Sequence, residues 1–171
     1  MKKVLLTLAL VFGMLTAHAQ FFVGGQFDLT YNKATEVTTF TLAPELGYAF
    51  NDTWTVAGAI GYTHDDHFNS FFLAPYARWT FFTKDFLSLL VDGGFGISVG
   101  KEKGFDSRSG FEIGLRPGLA FNITDNFSLV AHCGFLGFRD DYKYSITSTE
   151  HSVSGLSLKG NDLSFSLYYK F

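Results

Sequence analysis

Two clusters in this sequence combine imidazole with carboxylate or hydroxyl groups, the residue types that bind metals or transfer acyl groups. His64-Asp65-Asp66-His67 offers four potential ligands for a divalent cation. Their spacing matches no specific metal site, so a solvated acidic loop is the favoured interpretation and metal binding the alternative. We therefore expect no metal and no cofactor.

The second cluster, Glu150-His151-Ser152, contains an acid, a base and a nucleophile, and His132 is a further imidazole. Adjacent residues of an extended strand point to opposite faces, so this run cannot by itself form a catalytic triad. We expect no catalytic residues, with a lipid-modifying enzyme (a lipid A deacylase or acyltransferase) as the alternative.

The N-terminal segment has the pattern of a signal peptide. Lys2 and Lys3 precede an apolar run from Val4 to Leu15, and Ala17-His18-Ala19 is a small-x-small cleavage pattern. The run of 12 residues is shorter than the ~20 that a membrane-spanning helix needs, which disfavours an anchor. We predict a signal peptide over 1–19 and one domain over 20–171.

Composition excludes some classes of function. Removal of Lys2 and Lys3 would leave 11 basic residues against 16 acidic ones, a net charge of −5, so there is no basic surface for nucleic acid. The chain contains 21 Phe, 8 Tyr and 18 Gly but only one cysteine, Cys133, which excludes an intramolecular disulfide. These proportions favour β structure.

Eight segments alternate large apolar residues with small or polar ones, which predicts strands. They are 21–31, 39–50, 54–63, 70–82, 86–99, 110–122, 127–138 and 161–171. Each is near or above the ~9–11 residues that a tilted strand needs to cross a bilayer. The connections alternate between short turns and longer segments, the longer ones being 32–38, 64–69, 100–109 and 139–160. This pattern predicts an antiparallel up-and-down barrel with both termini at its short-turn end.

The smaller residues decide between a membrane barrel and a soluble one. They are mostly Gly, Ala, Ser and Thr, which suits a narrow interior better than a water-facing surface. The large apolar row then faces lipid and includes Cys133, while a soluble lipocalin-like barrel is the alternative. Aromatic residues at strand ends are expected at the membrane interfaces: Phe50, Trp54, Tyr62, Trp79, Phe121 and Phe127.

With these features the chain resembles the small eight-stranded outer-membrane barrels of the OmpA-transmembrane-domain and OmpX type, described as outer membrane protein beta-barrel families. Phe165, Leu167, Tyr169 and Phe171 look like the final strand that the barrel-assembly machinery recognises in such proteins. The resemblance implies a bacterial outer-membrane location, contact with outer-membrane lipid or lipopolysaccharide, and assembly by that machinery. We expect a monomer whose extracellular ligand is unknown.

Strand parity directs a set of ionisable residues inward. They are Asp28, Glu45, Arg78, Asp92, Glu112, Arg116 and Lys170, with His132 beside them. Four acids face three bases, and near-balance in a narrow lumen favours a paired network that fills the barrel. An ion path is the alternative.

The segment 139–160 changes phase twice. Odd residues from Phe127 to Phe135 are apolar, whereas Tyr142 and Tyr144 are even, so one break is expected near Arg139-Asp140-Asp141. A second is expected over 159–162. We predict a hairpin of residues 142–158 that extends the last two strands, with a ten-stranded barrel as the alternative.

The predicted function is therefore that of a structural or adhesive outer-membrane barrel that presents loops outward. A narrow pore and a lipid-modifying enzyme are the alternatives.

Overall fold

The computed structural model describes residues 20–32, 37–64, 68–102, 107–142, 152–157 and 163–171. The predicted signal peptide, residues 1–19, lies outside them. The described residues contain no helix long and apolar enough to cross a membrane.

Within these described ranges, ten strand segments form one antiparallel sheet. They are β1 (Gln20–Asn32), β2 (Val37–Ala49), β3 (Trp54–His64), β4 (Phe68–Lys84), β5 (Leu87–Glu102), β6 (Arg108–Asn122), β7 (Phe127–Cys133), β8 (Phe135–Asp140), β9 (Ser152–Ser157) and β10 (Leu163–Lys170). Segments β1 to β6 pair in chain order, β6 pairs with both β7 and β8, and β10 pairs with β7 and β1. Because β7 and β8 continue one strand and β9 and β10 another, the predicted closed eight-stranded barrel is confirmed.

The strands are longer than the sequence pattern indicated. Strands β4, β5 and β6 contain 17, 16 and 15 residues, whereas the predicted segments 70–82, 86–99 and 110–122 contain 13, 14 and 13. Three of the four connections predicted to be longer therefore shrink to 33–36, 65–67 and 103–107. Beyond the membrane a strand needs only its ladder hydrogen bonds, so its apolar alternation can fade while the strand continues. The segment 141–151, between β8 and β9, remains long.

The seventh strand is broken at Gly134. Strand β6 pairs Gly118 with His132 below the break and Leu115 with Leu136 above it, a register shift of one residue. Gly134 has φ 99°, in the region that favours glycine. The shift reverses the faces, so Cys133 and Leu136 are both exposed on the outside.

This break corrects two predictions about the seventh strand. The phase changes already at Gly134, which turns Phe135 into the lumen with 2% exposure instead of toward lipid. The alternation also breaks near Arg139-Asp140-Asp141, as predicted, because Asp141 has φ 45° and both Arg139 and Tyr142 face the lumen. The hairpin that extends the last two strands is formed by Phe135–Asp140 and Ser152–Ser157, so its first arm lies earlier in the chain than the predicted 142–158, of which residues 143–151 and 158 lie outside the described residues. The second predicted break, over 159–162, lies outside the described residues.

Large apolar side chains cover the outside of the barrel. Phe21, Leu46 and Ile60 are 66%, 69% and 64% exposed, and the same is true of residues on every long strand. A soluble protein rarely exposes more than a few hundred Å² of continuous apolar surface. The exposed row is therefore the lipid-facing surface, and the opposite row lines the lumen.

Replacing Gly134 with alanine should weaken the barrel, because a Cβ is unfavourable at this positive φ. We expect Gly134→Ala to lower the free energy of unfolding by about 1–2 kcal/mol. The control is Gly58→Ala, since a Cβ at Gly58 meets no atom within 4 Å. Urea unfolding in detergent, followed by heat-modifiable migration, measures both; equal midpoints would contradict the assigned break.

Candidate functional site

The centre of the lumen contains a buried ion pair between adjacent strands. Arg78 on β4 lies directly opposite Asp92 on β5. The guanidinium donates through Nε to Asp92 Oδ1 at 2.7 Å and through Nη2 to Oδ2 at 2.8 Å. His132 Nε2 on β7 lies 2.7 Å from the same Oδ2. Because all three side chains are buried, this bidentate pair is held away from water.

A carboxylate from β2, two strands away from β4, joins this centre through two tyrosines. The hydroxyls of Tyr76 and Tyr168 donate to Glu45 Oε2 at 2.7 and 2.8 Å. Arg78 Nη2 donates to the Tyr168 hydroxyl at 3.3 Å, and its guanidinium lies 5.0 Å from the centroid of the Tyr168 ring. The network thus connects β2, β4, β5, β7 and β10 across the lumen.

A second cluster surrounds Glu112 on β6. Arg116 donates to Glu112 Oε1, and Arg139 Nε donates to Glu112 Oε2 at 3.0 Å. The guanidinium of Arg139 also lies 4.3 Å from the centroid of the Phe135 ring. The break at Gly134 makes this cluster possible, because it turns Phe135 and Arg139 inward. Glycine at position 114 leaves room for the Phe135 ring, since a Cβ there would lie 2.7 Å from it.

The sequence interpretation missed Arg139 because it placed the phase change after this residue. The available signal was Gly134, since a glycine inside a strand pattern often marks a bulge. Tyr142, predicted to begin the outer hairpin, is also buried and packs against Phe72 at the upper end of the lumen.

Taken together, the two clusters contain as many guanidinium groups as carboxylates. Three carboxylates, Glu45, Asp92 and Glu112, accompany three guanidiniums, Arg78, Arg116 and Arg139. The side chain of Asp28 lies outside the described residues, although its backbone pairs with Thr41 in the β1–β2 ladder. Lys170 lines a space at the short-turn end, and its side chain takes no part in these ion pairs.

Two spaces in the described part of the lumen share no lining residue. A vestibule of about 1260 Å³ opens at the short-turn end and reaches Arg78, Leu90 and Tyr168. Above it, a void of about 40 Å³ lies between the Asp92 centre and the Glu112 cluster. The smaller volume is about that of one or two water molecules. Side chains of the network therefore separate the vestibule from the upper lumen.

Only part of each of the other two predicted clusters lies within the described residues. His64 is exposed at the end of β3, and Asp65, Asp66 and His67 lie outside the described residues. Across the part of the chain that is described, no three His, Cys, Asp or Glu side chains are grouped for a metal. Ser152 donates to Asp140, whereas Glu150 and His151 lie outside the described residues.

The predicted interfacial and assembly residues lie on the outer surface. Phe50, Trp54, Trp79, Phe121 and Phe127 lie near the short turns, and Tyr62 lies near the opposite end. The indoles of Trp54 and Trp79 stack with centroids 6.2 Å apart. On the last strand, Phe165, Leu167, Tyr169 and Phe171 are exposed in one row.

A closed eight-stranded barrel with an apolar exterior and charged side chains in its interior defines the class of small outer-membrane barrels. The family model "Outer membrane protein beta-barrel domain" matches residues 4–171, so the chain belongs to that family and is a protein of the bacterial outer membrane. No curated protein sequence matches the chain significantly.

Solved structures agree with this fold. The N-terminal barrel domain of Pseudomonas aeruginosa OprF is 14% identical, with a TM-score of 0.60 over 90% of this chain and 98% of its own. Neisserial surface protein A is 16% identical, with a TM-score of 0.52 over 90% and 96%. Ail of Yersinia pestis, in a phospholipid nanodisc, is 18% identical, with a TM-score of 0.50 over 90% and 100%.

Breaking the central pair should be far more damaging than breaking a pair at the rim. Arg78→Met leaves the buried Asp92 carboxylate without its bidentate partner, and we expect a loss of about 3–5 kcal/mol in unfolding free energy. The control is Arg108→Met, because Arg108 is 59% exposed and lies 4.0 Å from Asp141. Its loss should stay below about 1 kcal/mol.

Urea unfolding midpoints in detergent measure both variants. The double variant Arg78→Met/Asp92→Leu should recover much of the loss, since an apolar pair leaves no charge buried. A single Arg78→Met variant no less stable than Arg108→Met would contradict the role of the pair.

Proposed function

We propose that this protein is a closed outer-membrane barrel with a structural or adhesive role, interacting with its surroundings through the connections at its outer end. The observation that carries the proposal is the separation of the vestibule from the upper lumen by the Arg78–Asp92 centre. Paired charges across the middle of the lumen support a rigid frame. Interaction then falls to the ends of the barrel.

The same observation argues against a narrow pore. Moving an ion past this centre would require breaking the contacts among Arg78, Asp92 and Tyr168, all of which are buried. It also argues against catalysis by His132, because this imidazole is 7% exposed and is held by Asp92. A substrate in the membrane or outside the cell could not reach it.

The orientation implied by the long connection 141–151 supports a role for that end of the barrel, because the connections 33–36, 65–67 and 103–107 are about as short as the turns at the other end. In outer-membrane barrels the short turns are periplasmic and the longer connections are extracellular. The segment 141–151 is the longest connection by the strand bounds, and it joins β8 to β9 at that outer end. We assign the surface-interaction role to this end of the barrel.

Purified protein in planar lipid bilayers should show no steady ion-selective conductance, because the buried pairs close the lumen. A large porin recorded in the same bilayers is the positive control. Stable channels whose ion selectivity changes in Arg78→Met would reject the closed barrel in favour of the pore.

Cells displaying the protein should adhere to surfaces coated with collagen, fibronectin or mucin better than cells carrying an empty vector. Replacing residues 143–150 with a short Gly-Ser linker should remove that gain, since it removes most of the outer connection and leaves the described strands intact. The matched control replaces the periplasmic turn residues Asp52 and Thr53 with Gly-Ser. Equal adhesion by both variants, at equal surface amounts, would contradict the proposal.

A further inference from the structure

A groove of about 550 Å³ lies on the outer surface of the barrel, at the end opposite the short turns. Tyr62 of β3, Asn69 and Phe71 of β4, and Val99 and Lys101 of β5 line it. This position is on the membrane-facing side of the strands, near the outer rim. Its occupant must therefore enter from the outer leaflet.

The residues around the groove are ordered by polarity along the strands. Ile60, Leu73 and Ile97 lie opposite one another on the three strands and are exposed to lipid. The next row toward the rim is Tyr62, Phe71 and Val99, and the row above it is His64, Asn69 and Lys101. Residues directly opposite each other have Cβ atoms about 5 Å apart, so each row is nearly continuous. An apolar surface thus ends in a polar, cationic row.

Hydrogen bonds within the upper row fix the amide of Asn69. The Tyr62 hydroxyl donates to Asn69 Oδ1 at 2.7 Å, and His64 Nδ1 lies 2.6 Å from the same oxygen. Both contacts use the carbonyl oxygen, which leaves the two N–H donors of the amide for another acceptor. In the described residues nothing accepts from Asn69 Nδ2, and nothing forms an ion pair with Lys101. Lys101 Nζ and Asn69 Nδ2 are therefore two hydrogen-bond donors beside the apolar groove that can bind a ligand.

We propose that this groove binds a phosphate-bearing glycolipid of the outer leaflet, of the lipid A type found in lipopolysaccharide. An acyl chain lies along Phe71 and Val99, and a headgroup phosphate accepts hydrogen bonds from Lys101 Nζ and Asn69 Nδ2. Charge complementarity carries this assignment, because an ammonium group at the membrane surface favours an anionic headgroup. The site is independent of the adhesive role proposed above.

Native mass spectrometry of the full barrel in detergent, titrated with bis-phosphorylated lipid A, tests the site. We expect one lipid A to bind the wild type and to bind Lys101→Gln roughly fivefold more weakly, the effect of one cation near a membrane surface. Asn69→Asp keeps the acceptor for Tyr62 and replaces the donor with a carboxylate, so it should weaken binding at least as much. Lys101→Arg should retain it.

The matched control is Lys84→Gln, which removes an exposed lysine at the short-turn end of β4. This variant should bind lipid A as the wild type does, and heat-modifiable migration shows that each variant is folded. Lipid A without its phosphates, and phosphatidylglycerol, should both bind more weakly than bis-phosphorylated lipid A.

Three results would overturn the proposal. One is equal binding of lipid A with and without its phosphates, and another is equal binding of phosphatidylglycerol. The third is a lipid-free dimer that Lys101→Gln dissociates, which would make the groove an interface between two copies. Absence of conductance or adhesion has no bearing on any of these readouts, so this proposal and the adhesive role fail separately.

Discussion

Hydrocarbon offers no hydrogen-bond partners, so every backbone N–H and C=O of a membrane-crossing strand must be paired within the sheet. Closure of β10 onto β1 meets this requirement by leaving neither strand as a free edge at that level. Even so, the β2–β3 pairing skips from Leu42 to Glu45 beside Pro44, which has no N–H to donate. The register is the same on both sides of the gap. The closed barrel therefore keeps its register despite this local loss of ladder pairing. An edge strand would have no ladder hydrogen bonds on its free side to lose.

Closure with eight strands also produces a narrow lumen, in which charged side chains are held away from water. Such a barrel is just wide enough for side chains, and here charged side chains occupy the middle of the lumen, above the vestibule. Burying a charge in this space costs free energy unless the charge is paired. Removal of one partner leaves the other charge unpaired in a region of low dielectric constant. Arg78 and Asp92 satisfy each other from adjacent strands, while Glu45 reaches them through tyrosine hydroxyls. The network thus holds together strands that do not hydrogen-bond to each other directly.

Much of this fold follows from alternation alone, because period two fixes which side chains face inward for as long as a strand is regular. Glu45, Arg78 and Asp92 were placed in the lumen by that rule, and all three are buried there. The rule failed after Gly134, where one positive φ reverses the faces and brings Arg139 inside. The alternation also could not predict which lumen side chains pair with each other. It assigns each side chain to a face of its strand, but it does not say which other strand supplies the partner.

The difference between the lumen and the outer groove is whether polar groups already have partners. The donors of Arg78 are engaged with Asp92 and Tyr168, so a ligand at that centre would have to replace existing hydrogen bonds and gain little. Lys101 and the amide nitrogen of Asn69 lie near the outer rim and have no protein acceptor among the described residues. A phosphate bound there adds a charge-assisted contact without breaking any hydrogen bond of the lumen. Rigidity inside the barrel and recognition outside it are therefore separate properties, because they rest on different residues.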